Sequence, residues 1–364
     1  MKVLVLTAKY PQNNGTHERM FVHVRNLYYL KKGIEVTVLN FASTEDYVID
    51  GIRVITKKTY ERENNNYDIL ISHASNLRNQ FLFLIKHDWK FKKNVFFFHG
   101  HEVLYLNKEY PQPYAFVKSK SKLRYCFQDM YDFIKVHIWR YYYKKVAAKS
   151  YYVFVSNWIK SKFHEYVGLN DIDLNDHCAI INNSIGAAFE NKEYDVACEK
   201  IYDFITIRSD LDGSKYGVDI VVNLAEKNPD SKFLLIGKGK YFDYNSKPSN
   251  LKWINRTMNH EEMFQFLDQS KCALLFTRED TQGVMTCELA AYGMPVITSN
   301  IDVCHEFFDG MPNVALVENN SDIDIKAISD SLSVKLPFYR DTTYYCENKI
   351  EQEVSLFKQI VKEG

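Results

Sequence analysis

Twelve short apolar runs of strand length recur along the whole chain, separated by longer stretches with helical spacing. In the first half they are Val3–Leu6, Val36–Leu39, Ile69–Ser72, Val95–Phe98 and Tyr152–Val155. In the second half come Ala179–Ile181, Phe204–Ile207, Phe233–Ile236, Lys252–Ile254, Ala273–Phe276, Val296–Thr298 and Val314–Val317. Runs that are apolar throughout, without alternation, suit strands covered by helices on both faces, and such strands form parallel sheets. The pattern predicts an α/β protein built from two successive βαβ sheets. At 364 residues the chain is long enough for two domains. The acidic, turn-rich segment between Leu169 and Asn183 places the division there, giving domains 1–170 and 171–347, with a final helix near 348–364.

Helix ends are legible in the second half. Val218, Val221, Val222 and Ala225 repeat at helical spacing after Gly217, and Asn228-Pro229 cannot continue a helix. Asn259 is an N-cap, with Glu261 and Glu262 in the first turn and Met263, Phe266 and Leu267 for burial. A third helix starts near Gly283 and stops at Gly293-Met294-Pro295.

The 46 basic and 46 acidic residues cancel over the whole chain but not along it. Residues 1–170 hold 27 Lys and Arg against 14 Asp and Glu, and the remainder holds 19 against 32. The first half therefore carries +13 and the second −13, so the basic domain is expected to face something anionic. Hydrophobic residues at 46% and charged residues at 25% exclude a collagen-like or wholly disordered chain. Seven dispersed cysteines with no CxxC pair argue against a disulfide framework and against a zinc site. The opening MKVLVLTAKYPQ reads as a buried strand better than as a signal peptide, and no run approaches the ~18 apolar residues of a spanning helix. These features predict a cytoplasmic protein, peripheral to a membrane at most.

In open α/β sheets ligands bind beyond the carboxyl ends of strands, near helix N-termini that attract anions. Arg208 follows Phe204–Ile207 and Lys215 precedes Gly217 at a helix start, a pair of cations suited to a departing diphosphate. The alternative is a solvated surface pair. Ile236-Gly237-Lys238-Gly239 lies at the same sheet edge; a lone GxG also serves as a tight turn. The run Arg278-Glu279-Asp280-Thr281-Gln282-Gly283-Val284-Met285-Thr286-Cys287-Glu288 leaves a strand and enters a helix. Its carboxylates, Asp280 and Glu288, suit vicinal hydroxyls, and the N–H groups of Gly283 and Val284 suit phosphate or sugar oxygens. Read blandly, Asp280 complements the helix dipole and Glu288 is an exposed helical residue.

In the first half, His99-Gly100-His101-Glu102 follows an all-apolar strand, which aims His99 at the ligand end of the sheet. An HxHE metal half-site needs further ligands, and HExxH is absent. The loop Lys9–Arg19 offers N–H groups at Gly15 and Thr16 but is not GxGxxG, so it is no dinucleotide fingerprint. Basic and aromatic residues mix in Lys118–Lys122 and Lys135–Lys149, which suits either an anionic membrane face or an ordinary solvated helix.

In their order and spacing these pieces resemble the retaining, nucleotide-sugar-dependent glycosyltransferases of family 4, whose GT-B fold has two facing Rossmann-like domains and an interdomain cleft. The resemblance runs from Tyr10-Pro11 and Gly15 through Tyr67-Asp68-Ile69-Leu70, His99-Gly100, Ser156 and Ile181-Asn182-Asn183. It continues through Arg208…Lys215-Tyr216-Gly217, Ile236–Gly239, Leu251–Arg256 and Asp280…Glu288-Leu289-Ala290 to Gly293-Met294-Pro295. It implies that Arg208 and Lys215 hold the donor diphosphate and that Glu288, as second carboxylate of the EX7E motif, binds the donor ribose. Asp280 takes the first carboxylate position near the reacting centre, and Gly283 and Val284 offer backbone donors. Gly15 approaches the diphosphate, Gly237 lies at the donor edge, Arg256 lies near the base, and His99 sits beside the donor sugar from the acceptor domain. The chain departs from the pattern in having Asp280 for Glu, with Glu279 one residue away. It also has a longer Arg208–Lys215 loop, a single Gly15 after the first strand, and Asn182 for the proline before Asn183.

The resemblance implies transfer of a sugar from a nucleotide diphosphate, UDP-linked, to a hydroxyl of a glycan or lipid-linked acceptor in bacterial surface polysaccharide synthesis. It implies retention at the anomeric carbon, no metal, no cofactor beyond the donor and no nucleic-acid partner. Asp210-Leu211-Asp212 mimics a metal-binding DxD but lies inside the Arg208–Lys215 loop. Two other readings stay open, a nucleotide-sugar hydrolase, epimerase or phosphorylase, and a non-catalytic partner subunit of the same fold.

Overall fold

Leu4 and Leu6 face one apolar cluster while Val3 and Val5 face another, so the first strand is covered on both sides. Across its sheet Leu39, Leu70, Phe96 and Phe98 join the first cluster and Val38, Ile71, Val95 and Phe97 the second. In chain order the strands are β1 (Lys2–Thr7), β2 (Glu35–Asn40), β3 (Tyr47–Ile49), β4 (Ile52–Ile55), β5 (Ile69–His73), β6 (Lys93–Phe98), β7 (Ser150–Phe154) and β8 (Cys178–Ile180). They stand in the order β3-β4-β2-β1-β5-β6-β7-β8, and every neighbouring pair is parallel except β3 with β4. A computed structural model describes residues 1–12, 18–63, 65–117, 122–338 and 340–362.

One face of this sheet is closed by the helices Lys122–Val146 and Asn157–Val167, through Val136, Trp139, Tyr143, Ile159 and Phe163. The other is closed by Met20–Lys31 and Cys346–Lys362, through Val22, Tyr29, Ile350, Val354 and Phe357. Each such side chain contributes about 1.5–3 kcal/mol when buried, an upper figure for a chain already partly collapsed when unfolded. Between those two helices lies a buried ion pair, Arg25 Nε to Glu353 Oε1 at 2.8 Å. Glu353 also accepts a short hydrogen bond from the Tyr29 hydroxyl.

Six strands form a second sheet: β9 (Tyr202–Asp210), β10 (Phe233–Lys238), β11 (Leu251–Ile254), β12 (Ser270–Leu275), β13 (Val296–Ser299) and β14 (Val314–Val317). Their order is β11-β10-β9-β12-β13-β14, parallel throughout. Its helices end where the sequence puts them. Val218–Lys227 stops before Asn228-Pro229, His260–Asp268 carries a full capping box between Asn259 and Glu262, and Val284–Tyr292 ends at Gly293 with φ 87°.

The chain divides into two units, Met1–Leu106 with Phe127–Ser184 and Tyr345–Gly364, and Asn107–Cys126 with Ile185–Tyr344. The run Ala179–Ile181, grouped above with the second half, corresponds to β8 and pairs in parallel with β7 in the first sheet, Tyr152 to Phe154 opposite Cys178 to Ile180. Strands β3 and β4 were not anticipated. They form a hairpin around Asp50-Gly51, both at positive φ, the backbone that a two-residue turn requires. No described helix is long and apolar enough to cross a membrane.

Candidate functional site

Arg208 lies near the carboxyl end of β9, 9% exposed. Its Nη2 donates to the Phe276 carbonyl just beyond β12 at 2.6 Å, and its buried Nε has no hydrogen-bond partner among the described residues. Burial pulls its pKa down, and the charge of Asp280 opposes that shift. A buried guanidinium with an unpaired donor costs free energy until an acceptor arrives. Lys215 stands on the turn Ser214–Tyr216. Its Nζ lies 4.8 Å from the centre of the Tyr216 ring, and the Arg208 Cζ lies 5.3 Å from the same ring. The two predicted cations thus flank one aromatic side chain. Gly217 ends the turn at φ 60°, where an added Cβ would meet the Phe276 Cβ at 2.8 Å.

Gly237 serves this arrangement through packing. An added Cβ there would lie 2.2 Å from the Arg208 carbonyl oxygen, at the point where the β9–β10 register shifts. Only glycine allows β10 to pass so close behind Arg208.

The connection from β12 to the helix Val284–Tyr292 brings in Asp280. Its Oδ1 accepts from the N–H of Thr281 at 2.8 Å and of Gln282 at 3.4 Å, a local turn that fixes the carboxylate. An added Cβ at Gly283, φ 71°, would sit 3.8 Å from the other Asp280 oxygen. Gly283 caps and Val284 opens a helix whose leading N–H groups have no intrahelical acceptor. Arg208, Lys215, Asp280, Gly283 and Val284 therefore share one loop cluster at the carboxyl ends of β9 and β12.

Glu288 is not exposed; it is 5% accessible. Its Oε1 accepts the Gly186 N–H at 3.1 Å and lies 3.7 Å from His260 Nε2. Burial pushes its pKa up to about 7, with the Gly186 amide pulling the other way. An added Cβ at Gly186 would come within 2.8 Å of the His260 ring, so this glycine is what lets the backbone reach the carboxylate. Arg256, predicted near the base, is paired with Glu262 at 2.8 Å in the first turn of the helix that begins at His260. Asp280 and Glu288 thus anchor two neighbouring groups: one with the cations, the other with Gly186, His260 and, through the helix start, Arg256.

In the first unit His99 follows β6 and meets a residue the sequence did not single out. His99 Nε2 and His73 Nδ1 are 3.1 Å apart, and burial holds both imidazoles well below their usual pKa, so one ring donates and the other accepts. The buried Glu102 carboxylate accepts the His99 backbone N–H, which ties down the carboxylate of the HxHE string. Among the described residues no three His, Cys, Asp or Glu side chains gather as metal ligands. Gly15 lies outside the described residues.

Sequence reasoning also missed Asp219 and Tyr114, which join Arg278. Arg278 donates from both terminal nitrogens to Asp219, at 2.9 and 2.6 Å, and Tyr114 donates to Asp219 Oδ1 at 2.7 Å. Their separations of 59 and 105 residues leave no periodic signal to find.

Residues 206–333 match the family model described as glycosyl transferases group 1. No curated protein matches the chain by sequence. Among solved structures, sucrose-phosphate synthase from Thermosynechococcus elongatus superposes with a TM-score of 0.68 at 11% identity, covering 100% of both chains. A glycosyltransferase from Rickettsia africae gives 0.66 at 12% identity, over 100% of this chain and 99% of that one. The catalytic domain of starch synthase IV from Arabidopsis thaliana, bound to ADP and acarbose, gives 0.58 at 9% identity, over 99% of each. The fold is the GT-B fold of two parallel sheets, and the second unit carries the group 1 glycosyltransferase signature.

Proposed function

We propose that the protein is a retaining glycosyltransferase that moves a sugar from a nucleoside-diphosphate donor, UDP-linked, to a hydroxyl of a glycan or lipid-linked acceptor. The observation that carries this reading is the buried Arg208 guanidinium, its Nε unpaired among the described residues, beside Lys215 and Asp280 inside the segment with the group 1 signature. An anionic diphosphate supplies the missing acceptor, and its charge grows as the bond to the sugar breaks. Arg208 and Lys215 then stabilise the departing group more than the bound donor, which is how a fixed charge lowers a barrier. Gly283 and Val284 offer N–H groups to the same ligand, and Asp280 holds the sugar near its anomeric carbon. Glu288, with His260 and Arg256 nearby, receives the ribose hydroxyls and the base. His99 is a neutral imidazole in the first unit, and residues 1–170 carry +13, a charge that suits an anionic acceptor.

A panel of sugar nucleotides, read by thermal shift and by nucleotide release with an added acceptor, tests the reading. Turnover that needs the acceptor and is lost in Lys215→Met supports it. Release of free sugar without an acceptor identifies a hydrolase, and binding without turnover for any donor identifies a non-catalytic subunit. In this account Arg208 and Lys215 neutralise the leaving group, so loss of transfer in a metal chelator would overturn it.

The helix Lys122–Val146 carries an exposed stripe of Leu123, Phe127, Met130, Ile134 and Tyr141, with Arg124 and Arg140 beside it. This supports a peripheral site on an anionic leaflet, where a lipid-linked acceptor would be met. Binding to anionic vesicles should fall as salt rises. Equal binding to neutral vesicles at high salt would count against it.

A further inference from the structure

The turn that carries Lys215 closes on itself through Tyr216 N–H to the Gly213 carbonyl at 3.0 Å and Gly217 N–H to the Ser214 carbonyl at 3.3 Å, and it is also held from outside. Its Lys215 carbonyl accepts the Arg278 backbone N–H at 2.7 Å and the Thr277 hydroxyl at 3.3 Å, and its Ser214 carbonyl accepts Arg278 Nη1 at 2.6 Å. Arg278 in turn is oriented by its two-pronged contact with Asp219, in the first turn of the helix Val218–Lys227. A guanidinium gripped at both terminal nitrogens has little freedom to rotate, so its grip on the turn is geometrically fixed.

Asp219 has a second partner. The Tyr114 hydroxyl donates to Asp219 Oδ1 at 2.7 Å and lies 3.4 Å from the Asp219 backbone nitrogen. Burial alone would raise the Asp219 pKa, but hydrogen bonds from Arg278 and Tyr114 hold it low, so the carboxylate is ionised in the contact. Tyr114 belongs to residues 107–126, which fold with the second unit although the chain on both sides of them belongs to the first. The same segment places the Tyr110 ring 5.4 Å from Lys215 Nζ, within cation–π reach. It is anchored by Phe116, stacked on Tyr244 at 5.0 Å and packed against Tyr241 at 5.8 Å. No catalytic role explains these contacts, yet Tyr110 reaches Lys215 directly and Tyr114 reaches its turn through Asp219 and Arg278.

We propose that segment 107–117 is a strap that positions Lys215, acting through Tyr114, Asp219 and Arg278, and so sets the affinity of the second unit for a diphosphate. Tyr114 is a positioning residue: its hydroxyl fixes Asp219, Asp219 fixes Arg278, and Arg278 fixes the two carbonyls that define the turn. Tyr110 adds a direct contact to the ammonium group. The proposal rests on the reading of Lys215 as a diphosphate ligand, so its test needs one measurement that does not involve a ligand.

That measurement is amide hydrogen exchange of residues 214–217 in the ligand-free protein. Tyr114→Phe removes one hydroxyl and keeps the ring. It should speed exchange at this turn while leaving the β9 core amides and the thermal midpoint little changed; unchanged exchange at 214–217 would overturn the strap. The second measurement is the affinity of inorganic pyrophosphate in a double-mutant cycle with Lys215→Met. A hydrogen bond to a charged group of this kind corresponds to roughly a tenfold change. Tyr114→Phe should therefore weaken pyrophosphate about tenfold or less in the native background and have no effect once Lys215 is Met. An equal loss in both backgrounds would mean that Tyr114 acts independently of Lys215, against the proposal. Faster exchange in a protein that never binds pyrophosphate would leave the strap standing and remove the diphosphate reading.

Discussion

Replacing Glu288 by Gln separates the burial of this side chain from its charge. Glutamine keeps the shape and an oxygen to accept the Gly186 N–H, but it cannot ionise. Burial pushes the Glu288 pKa from 4.5 up to about 7, so between those values the folded protein holds a proton that the unfolded chain has released. Stability falls with rising pH wherever the folded state binds more protons. The cost is therefore absent below about 4.5 and fully present above about 7. At about 1.4 kcal/mol per factor of ten, it amounts to roughly 3 kcal/mol. Glu288→Gln should match the parent protein near the lower pH and exceed it above the upper one. For a domain of this size the gain corresponds to about 6–12 °C in the melting midpoint. The assay is thermal or denaturant unfolding of both proteins across that range, compared as a difference. Parallel curves would refute the argument, since they would show that Glu288 titrates at its ordinary pKa and that His260 and Gly186 fully compensate its burial. If the carboxylate receives ribose hydroxyls, the stabilised variant should also bind nucleotide more weakly, which isothermal titration measures.

Arg208→Lys keeps the charge but loses the planar donor set; pyrophosphate affinity measured by calorimetry should fall about 10–100-fold, the range for a hydrogen bond between charged groups. Gly237→Ala puts a Cβ against the Arg208 carbonyl, so the protein should melt markedly lower and lose pyrophosphate binding as well; an unchanged melting curve would refute the packing role. Arg25→Met leaves Glu353 buried without its partner and should cost about 3–5 kcal/mol in denaturant unfolding, with much of the loss restored by adding Glu353→Leu. His73 and His99 should remain neutral in ring NMR spectra well below pH 6.5, because burial holds both pKa values down.

Parallel strands were legible because both of their faces are buried, which leaves uninterrupted runs such as Val3–Leu6 and Ala273–Phe276. The hairpin of β3 and β4 was not, since its first strand has three residues with none fully buried and its second is broken by exposed Arg53. Asp50-Gly51 was the available signal. The candidate site was legible where a residue's place follows from a strand end or helix start, as for the clustering of Arg208, Lys215 and Asp280. It was opaque where a residue works through a distant partner. Nothing near Glu288 in sequence announces Gly186, and the spacing of GxG does not say that Gly237 is there to make room for the Arg208 carbonyl.

The order of synthesis gives the Arg25–Glu353 pair a further meaning. The two partners are 328 residues apart, so Arg25 leaves the ribosome long before Glu353 is made. Until the helix Cys346–Lys362 emerges, one face of the first sheet lacks Ile350, Val354 and Phe357, and a cation meant for a dry interior has no counter-ion. By then every residue of the second unit has been translated. The first sheet is therefore closed only after the second unit has been translated. A nascent chain that stops near residue 345 would present an open apolar sheet face and an unmatched arginine, features that invite chaperones and proteases.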